Sequence, residues 1–357
     1  MRMKKILFIA AVALAAAACS KTYNVGPESQ KAIDFTSWSE TMSKAYTNTW
    51  SNGDAFTVYG AKFMTSADAT GTKVFDGVNV SYDGTKWGYT ETKYWDLTAF
   101  KYAFYAFMPS AQLNTGTTAG VFASKEVTFA NPTANSEDIL VANEYIRERE
   151  SGKIPTGVVP ITFNHMASMV DVKVKKDASL GTATVKITSA TLKDIANKGT
   201  LNVASYNASH APVATWTPSA GEKTNYVSTT ATASSNLTVT AATTYDASGV
   251  AGTTTPEANS LFANYVVLPQ TLDAGQALVL SYTISADGAT AAEYNDVEVV
   301  LNTFVTTDNT ANAGTTIGSW EKGTHYTYYV TIGANAITFS ATVQDWAEVS
   351  GYKYILQ

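Results

Sequence analysis

The chain has 357 residues, of which 45% are hydrophobic and 15% are charged, and its net charge is −6. This composition supplies a large apolar core, and it excludes a disordered chain and a protein that binds nucleic acid through its phosphates. The single cysteine excludes an internal disulfide and a cysteine-based metal site. The sequence therefore predicts a folded protein with no metal and no cofactor.

The N-terminus predicts export and lipid attachment. A basic start, Met1–Lys5, precedes the apolar run Ile6–Ala18, which at roughly 20 Å is too short for a bilayer core of roughly 30 Å. The small residues at the end of this run lead directly into Cys19, which resembles the lipobox of bacterial lipoproteins. We expect residues 1–18 to be a lipoprotein signal peptide, Cys19 to carry lipid at the outer membrane, and residues 19–30 to be a tether.

The dominant period of the remaining sequence is two. Val170–Lys175 alternates strictly between apolar and charged residues, which indicates a half-buried strand. The other alternating runs are Leu278–Ile284, Val297–Leu301, Tyr326–Ile332 and Ile337–Val343. No long segment has a helical period, and only short helical turns are expected, at Asp138–Tyr145. The fold class predicted is all-β, built from sandwiches.

The densest charge cluster predicts a domain boundary. Arg147–Pro155 contains five charged residues with Gly152 and Pro155, and we interpret it as a linker. It divides the folded chain into an N-terminal β-sandwich at 31–156 and a C-terminal β-sandwich at 157–357. The Thr- and Ala-rich stretch Pro218–Asn259 predicts long exposed loops around one or two weak strands.

The sequence shows no recognisable catalytic motif. It lacks a nucleophile elbow, a P-loop, a zinc-protease helix and an EF-hand loop. Its acids occur singly, without the paired arrangement that glycoside hydrolysis requires. His165 precedes an apolar strand, a position typical of a packed, hydrogen-bonded histidine. We therefore expect no catalytic residues and no enzyme.

Aromatic residues crowd one stretch of the first half. Such a row can stack on sugars, or it can fill a sandwich core, where each ring buries about 150–250 Å². The alternation within the row favours the core, with some ring surface at its rim. The residues are Trp87, Tyr89, Tyr94, Trp95, Tyr102, Phe104, Tyr105 and Phe107.

Several short motifs, each weak alone, occur in a specific order. They are Ala32-Ile33-Asp34-Phe35, Trp50-Ser51-Asn52-Gly53-Asp54, Phe104-Tyr105-Ala106-Phe107-Met108-Pro109, Asp138-Ile139-Leu140-Val141-Ala142, Phe163-Asn164-His165-Met166-Ala167, Val267-Leu268-Pro269-Gln270 and Trp320-Glu321-Lys322-Gly323. In this order the chain resembles the fimbrillin-like proteins, which are subunits of the type V pili of anaerobic Gram-negative bacteria. The resemblance runs from the lipobox almost to the C-terminus.

The resemblance implies a fold and a mode of assembly. Its members have two transthyretin-like β-sandwiches in tandem and are exported as lipoproteins. A surface protease of trypsin-like preference removes the first strand, which leaves an apolar groove. A strand of a neighbouring subunit fills the groove and builds a pilus that contributes to adhesion. The partners implied are other fimbrillin subunits, the protease and the outer membrane.

Carried onto this chain, the resemblance gives candidate residues for each step. The strand removed contains Ile33 and Phe35, and the candidate cleavage site is Lys44, before Ala45. Two alternating C-terminal segments are candidates for the donor strand. One is Ile337–Val343, with Ile337, Phe339 and Val343 on one side, and the other is Gly351–Gln357, with Tyr352, Tyr354 and Leu356 on one side.

One departure leaves an alternative open. The family commonly has arginine where Lys44 stands. Either a protease that accepts lysine acts here, or the chain is never cleaved. An uncleaved, lipid-held chain would be a pilus anchor or a glycan-binding surface lipoprotein.

Overall fold

The chain is almost entirely β-strand wherever its structure is described. The computed structural model describes residues 31–37, 50–109, 125–129, 138–149, 157–232, 237–239, 260–286, 289–306, 314–334 and 337–345. Within these ranges there is no α-helix, and two short 3-10 helices occur at Ala178–Leu180 and Leu301–Thr303. The all-β fold class is confirmed.

The strands are numbered along the chain. The first ten are β1 (Asp34–Ser37), β2 (Ala55–Phe63), β3 (Thr72–Tyr82), β4 (Trp87–Gly88), β5 (Lys101–Met108), β6 (Lys125–Thr128), β7 (Leu140–Ala142), β8 (Tyr145–Glu148), β9 (Val158–Ile161) and β10 (Phe163–His165). The next are β11 (Ser168–Lys176), β12 (Thr184–Ala196), β13 (Lys198–Tyr206), β14 (Pro212–Pro218), β15 (Lys223–Val227), β16 (Leu237–Val239), β17 (Ser260–Val267), β18 (Gln270–Thr271), β19 (Ala277–Ser285), β20 (Ala292–Val300), β21 (Ser319–Trp320), β22 (Thr324–Ile332) and β23 (Ile337–Asp345).

A seven-stranded sheet organises the first half of the chain. Its order is β10-β7-β5-β2-β3-β4, and β8 also pairs with β5. The central strand β5 is buried on both faces: Tyr102 and Phe104 pack into one apolar cluster. Tyr105 and Phe107 pack into the cluster on the other side. The interpretation of the aromatic row as core is confirmed for these four rings.

The helical turns expected at Asp138–Tyr145 are absent, and this expectation is wrong. Strand β7 lies there and pairs with both β5 and β10. All three of its residues are buried. A short apolar run enclosed between two neighbours is a strand, and periodicity alone does not distinguish it from a buried helical turn.

The second half is a sandwich of two sheets. One has the order β17-β11-β22-β23, and the other has the order β15-β12-β19-β20 with β16 also paired to β12. The apolar residues of β11, predicted from their alternation, face inward and are fully buried at Val170, Val172 and Val174. They pack in the same cluster as Ile187 of β12 and Leu280 of β19. The alternating runs predicted as β11, β19, β20, β22 and β23 are thus confirmed as strands.

Pairing across the middle of the chain joins the two halves. Strands β9 and β10 follow the expected linker but pair with β1 and β7 of the first half, and β6 pairs with β13 of the second. The linker expected at Arg147–Pro155 begins inside β8, because Arg147 pairs with Tyr102 of β5. One apolar cluster contains Tyr105 and Phe107 together with Leu201 and Leu268. The division at 156/157 remains a prediction.

Candidate functional site

The segment 31–37, which includes β1, lies between two backbone neighbours. Strand β1 itself pairs in parallel with β9, with Phe35 opposite Val159. Just before β1, the Ile33 amide donates to the Lys93 carbonyl at 2.8 Å, and the Trp95 amide donates to the Lys31 carbonyl at 3.1 Å. Removal of β1 would therefore leave unpaired backbone groups on both sides of an empty slot.

The side chains of β1 alternate between the core and solvent, as its sequence predicts. Ile33 is fully buried and Phe35 is 4% exposed, whereas Asp34 and Thr36 are exposed. The Phe35 ring sits among four other rings in edge-on contacts. Its centroid lies 5.3 Å from Phe75, 5.8 Å from Tyr89, 6.0 Å from Phe104 and 6.1 Å from Phe56. The slot thus accepts two large apolar side chains spaced two residues apart.

Of two side-chain hydrogen bonds at this slot, one joins its walls and the other joins a wall to the segment that fills it. The Trp95 Nε1 of one wall donates to the Gly157 carbonyl at 3.2 Å, next to β9 on the other wall. The Tyr89 hydroxyl donates to the Ile33 carbonyl at 2.7 Å, and burial raises the pKa of that hydroxyl. The Trp95 bond does not involve β1, so it can hold the walls when β1 is absent.

The remaining N-terminal candidates lie outside the described residues. These are the lipidation site Cys19 and the cleavage site Lys44 with Ala45. The structure brings β1 to the slot and describes neither the segment before residue 31 nor residues 38–49.

The first donor candidate is a paired strand of its own sheet. Strand β23 forms a continuous antiparallel ladder with β22, from Ile332 opposite Ile337 to Thr324 opposite Asp345. Ala341 is fully buried, its amide donates to the Val305 carbonyl at 3.0 Å, and Ile337 and Val343 pack against the second-half core. Phe339 lies on the same strand. The second candidate, Gly351–Gln357, lies outside the described residues.

His165 is a buried structural residue, as the sequence indicates. Its Nδ1 is hydrogen-bonded to Asp138 Oδ2, and Asp138 Oδ1 accepts the amides of Ile139 at 2.6 Å and Ala167 at 3.2 Å. Burial raises the pKa of Asp138, against the opposing effect of His165. This pair joins the chain just before β7 to the last residue of β10.

Neither a metal centre nor a spanning helix occurs in the described ranges. They contain no group of three or more His, Cys, Asp or Glu side chains that could hold a metal ion. They also contain no helix long and apolar enough to cross a membrane.

Comparison with known proteins decides the family. The profile of the family described as fimbrillin-like matches residues 43–346, most of the chain. The chain belongs to the fimbrillin-like family. Fimbrium subunit Fim1C of Phocaeicola vulgatus is a fimbrillin relative that is 24% identical over 388 residues, covering 98% of both chains.

The chain is also similar to solved structures. A fimbrial protein from Bacteroides vulgatus has a TM-score of 0.50 at 18% identity, covering 88% of this chain and 99% of that chain. A Bacteroides uniformis protein, described provisionally as a cell adhesion protein, has a TM-score of 0.49 at 20% identity, covering 89% and 99%. At 18% identity, the likeness to the Bacteroides vulgatus protein shows the fold alone.

The sequence does not identify the slot walls of this fimbrillin. Ile33 and Phe35 are found from their alternation, but nothing local identifies Lys93, Trp95 or Gly157 as their neighbours. Tyr89 and Trp95 are visible only as members of the aromatic row. Their roles depend on contacts between distant segments, which a single sequence does not display.

Proposed function

We propose that this chain is a structural subunit of a surface fimbria and that it polymerises by exchanging β1 for a strand of a neighbouring subunit. Its membership of the fimbrillin-like family and the naming of its relative as a fimbrium subunit support the structural role. The polymer contributes to adhesion, and its partners are other fimbrillin subunits.

One observation supports the exchange: the short segment 31–37, which includes β1, buries Ile33 and Phe35 in a slot and has backbone partners from two different segments, β9 and residues 93–95. Unpaired edges and an exposed apolar slot are unfavourable in water. A strand from another chain satisfies both, since its backbone pairs with the walls and its alternate side chains fill the pockets. Each large apolar side chain that is reburied contributes about 1.5–3 kcal/mol.

Cleavage at Lys44 would release β1. Residues 38–49 connect β1 to the first described residue of the next segment, Trp50. A trypsin-like surface protease that accepts lysine would leave Ala45 as the new N-terminus. Without β1, the slot opens and the subunit becomes competent to accept a donor.

The better donor is Gly351–Gln357. Release of β23 would break its whole ladder with β22 and withdraw Ala341 from the core. Gly351–Gln357 alternates Tyr352, Tyr354 and Leu356. Such alternation suits a slot that accepts Ile33 and Phe35.

Lipid on Cys19 would hold the chain in the outer membrane until cleavage. The cysteine lies N-terminal to β1, so cleavage at Lys44 separates the lipid and β1 together from the rest of the subunit. A single processing step would thus release the subunit from the membrane and open its slot.

Protease treatment of the purified Cys19→Ala chain tests this proposal. We expect a lysine-specific protease to yield a chain that starts at Ala45 and forms filaments visible by electron microscopy. The variant Lys44→Gln should stay monomeric, whereas Lys31→Gln, at an exposed site before β1, should behave like the parent. A chain that starts at Ala45 and stays monomeric would contradict the proposal.

A further inference from the structure

A second recess lies far from the slot in sequence, in the second half of the molecule. It is a cleft of about 570 Å³ between the edge strand β14 and the two-stranded ladder of β18 and β21. Trp216 and Trp320 line it, and Lys223 and Lys322 lie at its border with Asp273 and Glu321. Two of the sequence motifs, Val267-Leu268-Pro269-Gln270 and Trp320-Glu321-Lys322-Gly323, meet at this cleft. Neither motif contributes to the slot that holds β1.

The polar atoms of the cleft floor are already engaged. Trp320 Nε1 donates to the Tyr328 hydroxyl at 2.7 Å, and Trp216 Nε1 donates to the Met166 carbonyl at 2.6 Å. Gln270 Oε1 accepts the Ala196 amide at 2.9 Å. The exposed ring surface of the cleft comes from Trp216, because Trp320 is buried. One ring beside the edge of strand β14 suits an extended peptide with aromatic side chains better than a small polar ligand.

The border carries a charge that the described residues leave unmatched. The Lys322 ammonium has no ion pair and no hydrogen bond within the described ranges, whereas Lys223 lies 3.7 Å from Asp273. An acidic side chain on the occupant would complement Lys322 at a water-exposed border, where such a pair adds specificity more than affinity.

The described chain ends beside this border. Asp345 is the last residue of β23 and pairs with Thr324, which is two residues from Lys322. Because strands lie about 4.8 Å apart and rise about 3.3 Å per residue, the chain leaves β23 within roughly 10 Å of Lys322. The segment that follows, 346–357, reaches up to about 40 Å when extended, which is ample for the cleft.

We propose that residues 346–357 occupy this cleft in the unassembled subunit. The segment contains an acid, Glu348, two residues beyond Trp346, which can pair with Lys322. It also contains Tyr352 and Tyr354, either of which can pack on the Trp216 ring. The importance of this cleft for assembly rests on the proposed function. Residues 346–357 include the donor candidate Gly351–Gln357, so the cleft would hold the donor strand until the slot of a neighbouring subunit is open. Occupancy of the cleft is a separate claim that can be tested on the monomer.

Hydrogen–deuterium exchange tests the occupancy. We compare the full Cys19→Ala chain with the same chain ended after Asp345. Loss of the segment should speed exchange at least threefold in peptides covering 214–223 and 319–323, and leave the slot strand β2 unchanged. Equal exchange at the cleft in the two chains, or a change confined to other regions, would overturn the proposal.

A charge variant provides a second readout that does not depend on truncation. Lys322→Glu should raise the rate of tryptic cleavage after Lys353 several-fold in the full Cys19→Ala monomer, measured by mass spectrometry. Lys86→Glu, an exposed lysine of the first half, is the matched control and should leave the rate unchanged. Equal rates in the two variants would count against the cleft.

The inference and the proposed function fail in distinguishable ways. Protection of the cleft in a chain that never forms filaments would refute strand exchange and leave the inference intact. Filaments from a chain whose cleft is unprotected would refute occupancy of the cleft and leave strand exchange intact.

Discussion

At the scale of single residues, the packing of β1 depends on Phe35. Its ring is surrounded edge-on by aromatic side chains from strands β2, β3 and β5 and from Tyr89. Edge-on aromatic pairs add about 0.5–1.5 kcal/mol beyond the area they bury. The same ring environment would select the side chain of any strand that replaces β1.

Phe35→Ala should lower the free energy of unfolding by about 3–5 kcal/mol, because it leaves a cavity among four rings. Urea denaturation of the uncleaved chain measures this loss. Thr36→Ala, on the exposed side of the same strand, should change it by less than about 0.5 kcal/mol. Similar losses for the two variants would show that β1 is not anchored through Phe35.

Trp95→Phe should loosen the slot walls while keeping most of the ring packing. It removes only the donor to the Gly157 carbonyl, a bond that contributes about 0.5–1.5 kcal/mol. Hydrogen exchange at 157–161 should become faster, and exchange in β22 should not. Unchanged exchange at β9 would mean that Trp95 does not tie the two walls.

The lowered pKa of Asp171 makes the stability of the fold depend on pH. Burial raises this pKa, but His325, whose Nε2 lies 3.2 Å from Asp171 Oδ2, and the Asn264 amide, which donates to Asp171 Oδ1 at 2.5 Å, outweigh it. The net pKa is therefore lowered. A depressed carboxyl pKa stabilises the fold above the unfolded value of about 3.9, and that stability is lost as pH falls through the folded value.

Asp171→Asn should therefore flatten the fall in stability below pH 4, relative to the parent chain. Urea denaturation at a series of pH values between about 3 and 7 measures the two slopes. Asp76→Asn, an exposed carboxylate on β3, is the control and should keep the parent slope. Equal slopes in Asp171→Asn and the parent would show that Asp171 does not contribute.

At the scale of elements, the strands themselves could be predicted and their partners could not. Alternation at Val170–Lys175 predicts β11, because the period of two is a local property of the chain. The pairing of β1 with β9 joins segments more than a hundred residues apart, for which no local pattern exists. Asp171 illustrates the same limit: it lies on the charged side of β11, yet His325 and Asn264 from neighbouring strands bury it.

A peptide that supplies β1 in trans should restore the slot. A chain that starts at Ala45 should gain thermal stability when a peptide of residues 31–43 is added, because a ligand that binds only the folded state raises its stability by mass action. The same peptide with Phe35→Asp should have no effect. Absence of a shift with the parent peptide would show that the slot does not accept a free strand.

At the scale of the whole molecule, the slot and β23, the last described strand, lie in opposite halves of one connected body. The β6–β13 pairing and the apolar cluster shared by Tyr105, Phe107 and Leu268 join the halves. A subunit in a filament would receive a strand in its first half and donate one from its second. The load between neighbours would then pass through this junction.

The N-terminus of the protein on the cell surface tests strand exchange most directly. Mass spectrometry of sheared surface material, beside the membrane pellet, determines it. We predict chains that begin at Ala45 in the sheared filaments and lipidated Cys19 in the pellet. Filaments made of chains that begin at Cys19 would contradict strand exchange. A protein found in the pellet with lipidated Cys19, and absent from the sheared filaments, would identify the chain as a membrane-held anchor or surface-binding lipoprotein.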